Sequence, residues 1–165
     1  MVLRDYKKED GAVIAGWIHS EEELFKWSAD RINKFPLCGD DINENYAEPL
    51  ESGRFFPITA VDDNGNIVGH FIIRYTREDD DSSVRFGFVI VDPASRGKGL
   101  GKTMLKHGIE YVKNNLHASR IDLGVFENNE GARRCYEAVG FKKFAERKSE
   151  LPIGTWNCIE MEIFI

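Results

Sequence analysis

Val89-Ile90-Val91-Asp92-Pro93-Ala94-Ser95-Arg96-Gly97-Lys98-Gly99-Leu100-Gly101-Lys102-Thr103-Met104-Leu105 decides how this chain is read. An apolar run ends at Asp92-Pro93, three glycines alternate after Arg96, and apolar residues at helical spacing (Leu100, Met104, Leu105) follow. A strand, a glycine-rich turn and a helix start in that order gather unpaired backbone N–H groups at the positive end of a helix dipole. Such a point binds an anion, and Arg96, Lys98 and Lys102 add side-chain charge of the same sign, so phosphate is the natural guest. Two familiar phosphate loops fail by one residue each. A Walker A loop needs glycine where Arg96 stands, and the dinucleotide fingerprint needs one where Lys102 stands.

Upstream, Phe56–Val61 and Ile67–Tyr75 are strands joined through Asp62-Asp63-Asn64-Gly65-Asn66, where Asn-Gly signals a hairpin. Val84–Val91 completes an antiparallel meander that feeds the glycine loop. Before it, Val2–Tyr6 makes a first strand, and Ala12, Val13, Ile14, Trp17 and Ile18 are spaced for a helix face. Ser20-Glu21-Glu22-Glu23 and Asp41-Ile42-Asn43-Glu44 look like capping boxes opening two more helices, the second ending near Pro49.

Downstream, the spacing predicts a helix from about Gly99 to Asn115, a buried strand over Ile121–Phe126, and a helix from Asn128 to Val139 closed by Gly140. Two strands, Phe141–Arg147 and Trp156–Ile165, finish the chain. The expectation is a single α/β (α+β) domain over residues 1–165: a mixed, mostly antiparallel central sheet of about seven strands flanked by about four helices.

Composition narrows the function classes. The chain has 165 residues, 42% of them hydrophobic and 30% charged, with a net charge of −6. That is a soluble globular composition, and the acidic balance argues against nucleic-acid binding. No apolar run is long enough to span a bilayer, and Met-Val-Leu-Arg-Asp opens no signal peptide, so no membrane partner and a cytoplasmic location are expected. Cys38, Cys135 and Cys158 are odd in number and far apart, which fits a reducing compartment. His19, His70, His107 and His117 show no paired spacing, so no metal is expected.

A second constellation lies about thirty residues beyond the glycine loop. Asn129, Ala132, Arg133 and Tyr136 fall at i, i+3, i+4 and i+7, on one helix face where adjacent polar groups hold an extended ligand at two points. Arg96-Gly97-Lys98-Gly99-Leu100-Gly101 resembles the Q/R-x-x-G-x-G/A loop of the GNAT superfamily of acetyl-CoA-dependent N-acetyltransferases. Asn129, Ala132, Tyr136, Gly140 and Phe141 are similar to that superfamily's N-x-x-A-x-x-x-Y-x-x-x-G-F pattern.

The resemblance implies acetyl-CoA as acetyl donor and an amine as acceptor, with no metal, in a monomer or homodimer. It implies that the loop around Gly97, Gly99 and Gly101, with Leu100 and Thr103, binds the pyrophosphate. Val89, Ile90 and Val91 would pair with the pantetheine arm, Asn129 would hydrogen-bond it beside Ala132, and Tyr136 would protonate the leaving thiolate as general acid. A backbone N–H near Val91 would stabilise the oxyanion. Many members carry a glutamate base on the strand before the loop. Here Val84-Arg85-Phe86-Gly87-Phe88 offers arginine, which leaves a water chain to take the amine's proton, with Glu23, His70 and Glu127 as candidate relays and none of them singled out.

The acceptor is expected to be a primary amine of a small molecule or peptide. Trp27, Asp30, Asp41, Glu44 and Trp156 are candidates for an acidic, aromatic-walled site. Two alternatives stand beside this reading: a non-catalytic acyl-CoA-binding sensor module, and a transferase for a longer acyl-CoA.

Overall fold

A computed structural model describes residues 1–165. Its seven strands are β1 (Val2–Asp5), β2 (Phe55–Val61), β3 (Ile67–Tyr75), β4 (Ser83–Val91), β5 (Arg120–Phe126), β6 (Lys142–Leu151) and β7 (Gly154–Phe164). They form one sheet in the order β1-β2-β3-β4-β5-β7-β6. All neighbours are antiparallel except β4 and β5, which run parallel, as a helical crossover between them requires. The helices are α1 (Asp10–Ala15), α2 (Glu21–Ser28), α3 (Gly39–Glu51), α4 (Leu100–Asn115) and α5 (Glu130–Val139), with a 3-10 turn at Pro93–Ser95.

Each face of the sheet carries its own core. On one, α4 and α5 lay Met104, Leu105, Ile109, Val112 and Tyr136 against Phe71, Phe86, Ile121, Leu123 and Met161. On the other, α1, α2 and α3 cover Ile72, Phe88 and Ile90 with Ile14, Leu24, Trp27, Ile42 and Tyr46. Fully burying one such large apolar side chain contributes about 1.5–3 kcal/mol.

Several boundaries differ from the sequence expectation. The helix expected to open at Asp41 begins at Gly39, with Cys38 at the N-cap. Asp41 is its third residue, and its carboxylate accepts the Cys38 N–H at 2.9 Å. Pro49 lies inside that helix, which runs on to Glu51. Ser20 does cap α2, its hydroxyl accepting the Glu23 N–H at 3.1 Å. The β2–β3 connection is a five-residue loop in which Gly65 adopts φ +85° and the Asp62 carboxylate accepts the Asn64 and Asn66 N–H groups, so Asn64 needs no left-handed backbone.

His70, on β3, is fully buried under α3 and shares a hydrogen bond between its Nε2 and the Tyr46 hydroxyl at 2.8 Å. Burial pulls its pKa down to about 3, so the folded protein holds it neutral. Its stabilising contribution is complete above the unfolded pKa of about 6.5 and is lost as the pH falls toward 3. We predict that stability drops by up to about 1.4 kcal/mol per pH unit across this window from this group alone. Chemical denaturation at stepped pH should show a shallower acid limb for His70→Gln than for the parent protein.

Candidate active site

The parallel ladder between β4 and β5 is short. It pairs Ser83, Val84 and Arg85 with Arg120, Ile121 and Asp122, and then stops. Beyond it the two strands diverge, and the β4 edge facing β5 has no strand partner. Two interactions set this divergence. At its root, Arg85 donates to Asp122 on β5 at 2.6 Å and to Glu160 on β7 at 2.8 Å. Farther along, β4 bulges against β3 between His70 and Ile72, and Phe88 takes a left-handed φ of +49°. A strained non-glycine residue of this kind costs about 1–3 kcal/mol and persists only where its surroundings fix it. Here the Trp27 indole N–H donates to the Phe88 carbonyl at 2.8 Å, and the two rings meet edge to face at 5.0 Å.

The divergence opens a cleft of about 700 Å3. One wall is the end of β4, Val89, Ile90 and Val91. The Asp92 N–H bonds back to Val68 on β3 at 3.0 Å, so Val91, one residue earlier, turns its N–H toward the open edge. A second wall is the glycine turn. Gly97 and Gly99 adopt φ of +77° and +78°, a conformation that costs glycine nothing. The N–H groups of residues 97 to 102 find no acceptor in the chain. These free donors stand at the N-terminus of the 16-residue α4, beside Arg96 and Lys102. Gly101 lets this first turn come close to α5, since a Cβ there would lie 3.2 Å from the Cys135 sulfur.

The third wall is α5, contributing Asn129, Ala132 and Tyr136. Asn129 is the N-cap residue, but its side chain makes no cap bond and no other hydrogen bond in the chain. The Tyr136 ring is buried, its hydroxyl makes no hydrogen bond in the protein, and burial raises the phenol well above its ordinary pKa. Cys135 also lines the cleft, and burial pushes its thiol pKa up, away from thiolate chemistry.

Of the anticipated residues, Val89, Ile90, Val91, Arg96, Gly97, Gly99, Leu100, Gly101, Lys102, Asn129, Ala132 and Tyr136 come together around this cleft. Lys98 and Thr103 do not. The Lys98 ammonium reaches back to the Ala94 carbonyl at 3.4 Å, and the Thr103 hydroxyl bonds its own helix at the Gly99 carbonyl. Arg133, expected on the same helix face, is off the cleft wall, with its Nε 3.8 Å from Glu137. Of the three relays, His70 is buried on β3 under α3, off the cleft wall, and Glu127 lies outside the cleft. Only Glu23 lines it, one oxygen accepting the His19 N–H at 2.7 Å.

The acidic acceptor site is not assembled. Asp41 is tied to Lys34 and Cys38, Trp156 packs on Phe126 at 5.1 Å, and Asp30 and Glu44 do not reach the cleft. Trp27 does line it. Sequence reasoning missed Trp17, Lys26 and Cys135, which also line it; nothing in their local spacing marks them. No group of three or more His, Cys, Asp or Glu side chains is arranged to hold a metal ion, and no helix is long and apolar enough to cross a membrane.

Residues 10–141 match the family described as the acetyltransferase (GNAT) family. The chain belongs to that family. The chain is 30% identical to mycothiol acetyltransferase of Salinispora tropica over 149 residues, which cover 88% of this chain and 46% of that protein. It thus spans about half the length of that relative. It is 30% identical to spermine/spermidine N(1)-acetyltransferase of Bacillus subtilis over 67% of this chain and 70% of that one. Its fold superposes on spermidine N-acetyltransferase from Vibrio cholerae, solved with CoA and spermine, at a TM-score of 0.81, with 20% identity over 99% of this chain and 94% of that chain.

The bulge offers a direct test. Trp27→Phe keeps the ring against Phe88 and removes only the indole donor. A loss of about 1 kcal/mol in unfolding free energy is expected, with the fold otherwise retained by circular dichroism.

Proposed function

We propose that this chain moves an acetyl group from acetyl-CoA to a primary amine of a small molecule or peptide by direct attack, with Tyr136 as general acid. One observation carries the reading: the unpartnered Tyr136 hydroxyl and the unpaired β4 edge at Val89–Val91 line the same cleft as six free backbone N–H groups at a helix start. The residues suit the cofactor on grounds of their own. A pyrophosphate needs several donors at once, and residues 97 to 102 offer them with Arg96 and Lys102 alongside. An extended amide-bearing arm needs a strand edge, and β4 has one beyond Arg85.

Acetyl-CoA supplies the activated acyl group. The glycine turn holds its phosphates, and the Asn129 amide and the β4 edge align its arm. The Val91 N–H hydrogen-bonds the thioester carbonyl oxygen as negative charge grows there. The amine nitrogen forms the new C–N bond while the C–S bond breaks, and Tyr136 gives its proton to the departing sulfur. The raised phenol pKa keeps that proton in place at neutral and alkaline pH. Glu23, the one carboxylate on the cleft wall, keeps an oxygen free to receive the amine's proton through water. A covalent acyl-cysteine route is disfavoured by the raised Cys135 thiol.

The test is thiol release from acetyl-CoA over a panel of primary amines, with calorimetry of acetyl-CoA binding alongside. Tyr136→Phe should lower kcat by about 10²–10⁴-fold while leaving the KM for acetyl-CoA within a few-fold. Unchanged kcat in that variant removes Tyr136 from the mechanism. Binding heat with no thiol release from any amine would identify an acyl-CoA sensor instead.

A further inference from the structure

A second, smaller cavity of about 100 Å3 adjoins the cleft, sharing Lys26 and Trp27 as a wall. It lies on the α2 face of the sheet, where β4 and β5 have parted, and Phe88 and Phe126 line it from the two strands. Its charge is the reverse of the whole chain's. Arg31, Arg74, Arg85 and Arg147 line it together with Lys26, and no carboxylate does, although the chain as a whole carries −6.

Two of these guanidiniums are already paired. Arg85 holds Asp122 and Glu160, and Arg147 donates to Glu160 at 2.7 Å. Neither acid is spare, because Asp122 also accepts from Arg120 at 2.7 Å. Gly124 leaves the room for this packing, since a Cβ there would lie 2.7 Å from an Arg85 nitrogen. Arg31 and Arg74 take part in none of these ion pairs. Arg74 sits half-buried on β3 directly across from Arg85, and Arg31 stands more exposed beyond the end of α2. Burial, with Arg31 and Arg85 pressing on it, pulls the Arg74 pKa down to about 10, and burial lowers Arg31 as well. Two cations with no ion-pair partner of their own, beside two that have one, are relieved by an anion.

The size of the space limits that anion. A volume of 100 Å3 corresponds to about three water molecules, room for a carboxylate and a short stem. A guanidinium fork matches a carboxylate with two parallel hydrogen bonds. We propose that the acceptor is a small amine bearing a carboxylate, the carboxylate held in this cavity by Arg31 and Arg74 and the amine directed past Phe88 toward the cleft. This rests on the acetyl-transfer reading and narrows the acceptor from any primary amine to an amino-acid-like one. Purely cationic amines are repelled by the same guanidiniums.

The test follows thiol release from acetyl-CoA with matched pairs, each an amino acid and its primary amide. The amide's amine is the less basic and the more nucleophilically available at neutral pH, so it leads if the carboxylate has no role. A kcat/KM at least ten-fold higher for the amino acid is expected. Arg74→Gln and Arg31→Gln should each raise the amino acid's KM ten-fold or more, narrow the gap to the amide, and leave the KM for acetyl-CoA and the Tm within error. Arg74→Lys, keeping charge without the fork, should restore part of the preference. Equal or reversed preference within the pairs, or a uniform loss on both members in Arg74→Gln, overturns this inference and leaves acetyl transfer standing. Thiol release from no amine at all overturns the acetyl-transfer reading and this inference together.

Discussion

The site depends on where β4 stops pairing with β5. A parallel ladder of three residue pairs is enough to fix the two strands in one sheet and too short to close it. Arg85 holds the root of the divergence by reaching both Asp122 and Glu160, and the Phe88 bulge turns the rest of β4 outward. A longer ladder would satisfy the backbone of Val89–Val91 within the sheet and leave nothing for a ligand to pair with. The unsatisfied edge is therefore a cost carried by the fold at one place, offset by the two cores on either face.

The same root accounts for the arginine at position 85. At that position a cation bridges two carboxylates on two neighbouring strands, so a carboxylate there would add a third negative charge to a half-buried cluster. Together with Lys26, Arg31, Arg74 and Arg147, Arg85 also makes the lining of the small cavity under α2 cationic. The fold is shared with the spermidine N-acetyltransferase structure, and the proposed carboxylate site concerns the acceptor alone.

Much of this was legible in the sequence, wherever chemistry sits on contiguous residues. The glycine turn announces itself by three alternating glycines among cations, and the α5 face by its i, i+3, i+7 spacing. Local capping was half legible. Ser20 was plain, whereas Cys38 conceals the start of α3, because its weak side-chain acceptor is outside the usual capping set and the stabilising contact comes from Asp41. What could not be read was register. Arg31, Arg74, Arg85 and Arg147 are scattered over more than a hundred positions and meet only because β3, β4, β5, β7 and β6 lie in that order. Nor does any local pattern put β7 between β5 and β6, or mark Phe88 for a left-handed backbone.

That strand order has a consequence for assembly. β7 is last in the chain but interior in the sheet, and it brings Glu160, the shared anchor of Arg85 and Arg147, together with Cys158. Until residues 154 to 164 insert, β5 and β6 have no common partner and the basic cluster has lost one of its two counter-ions. A chain arrested one strand short would keep its glycine turn yet lack the wall that Cys158 gives the small cavity. The cavity on that side therefore waits on a pairing between positions well apart in the chain, Arg120 with Phe164 through Phe126 with Cys158.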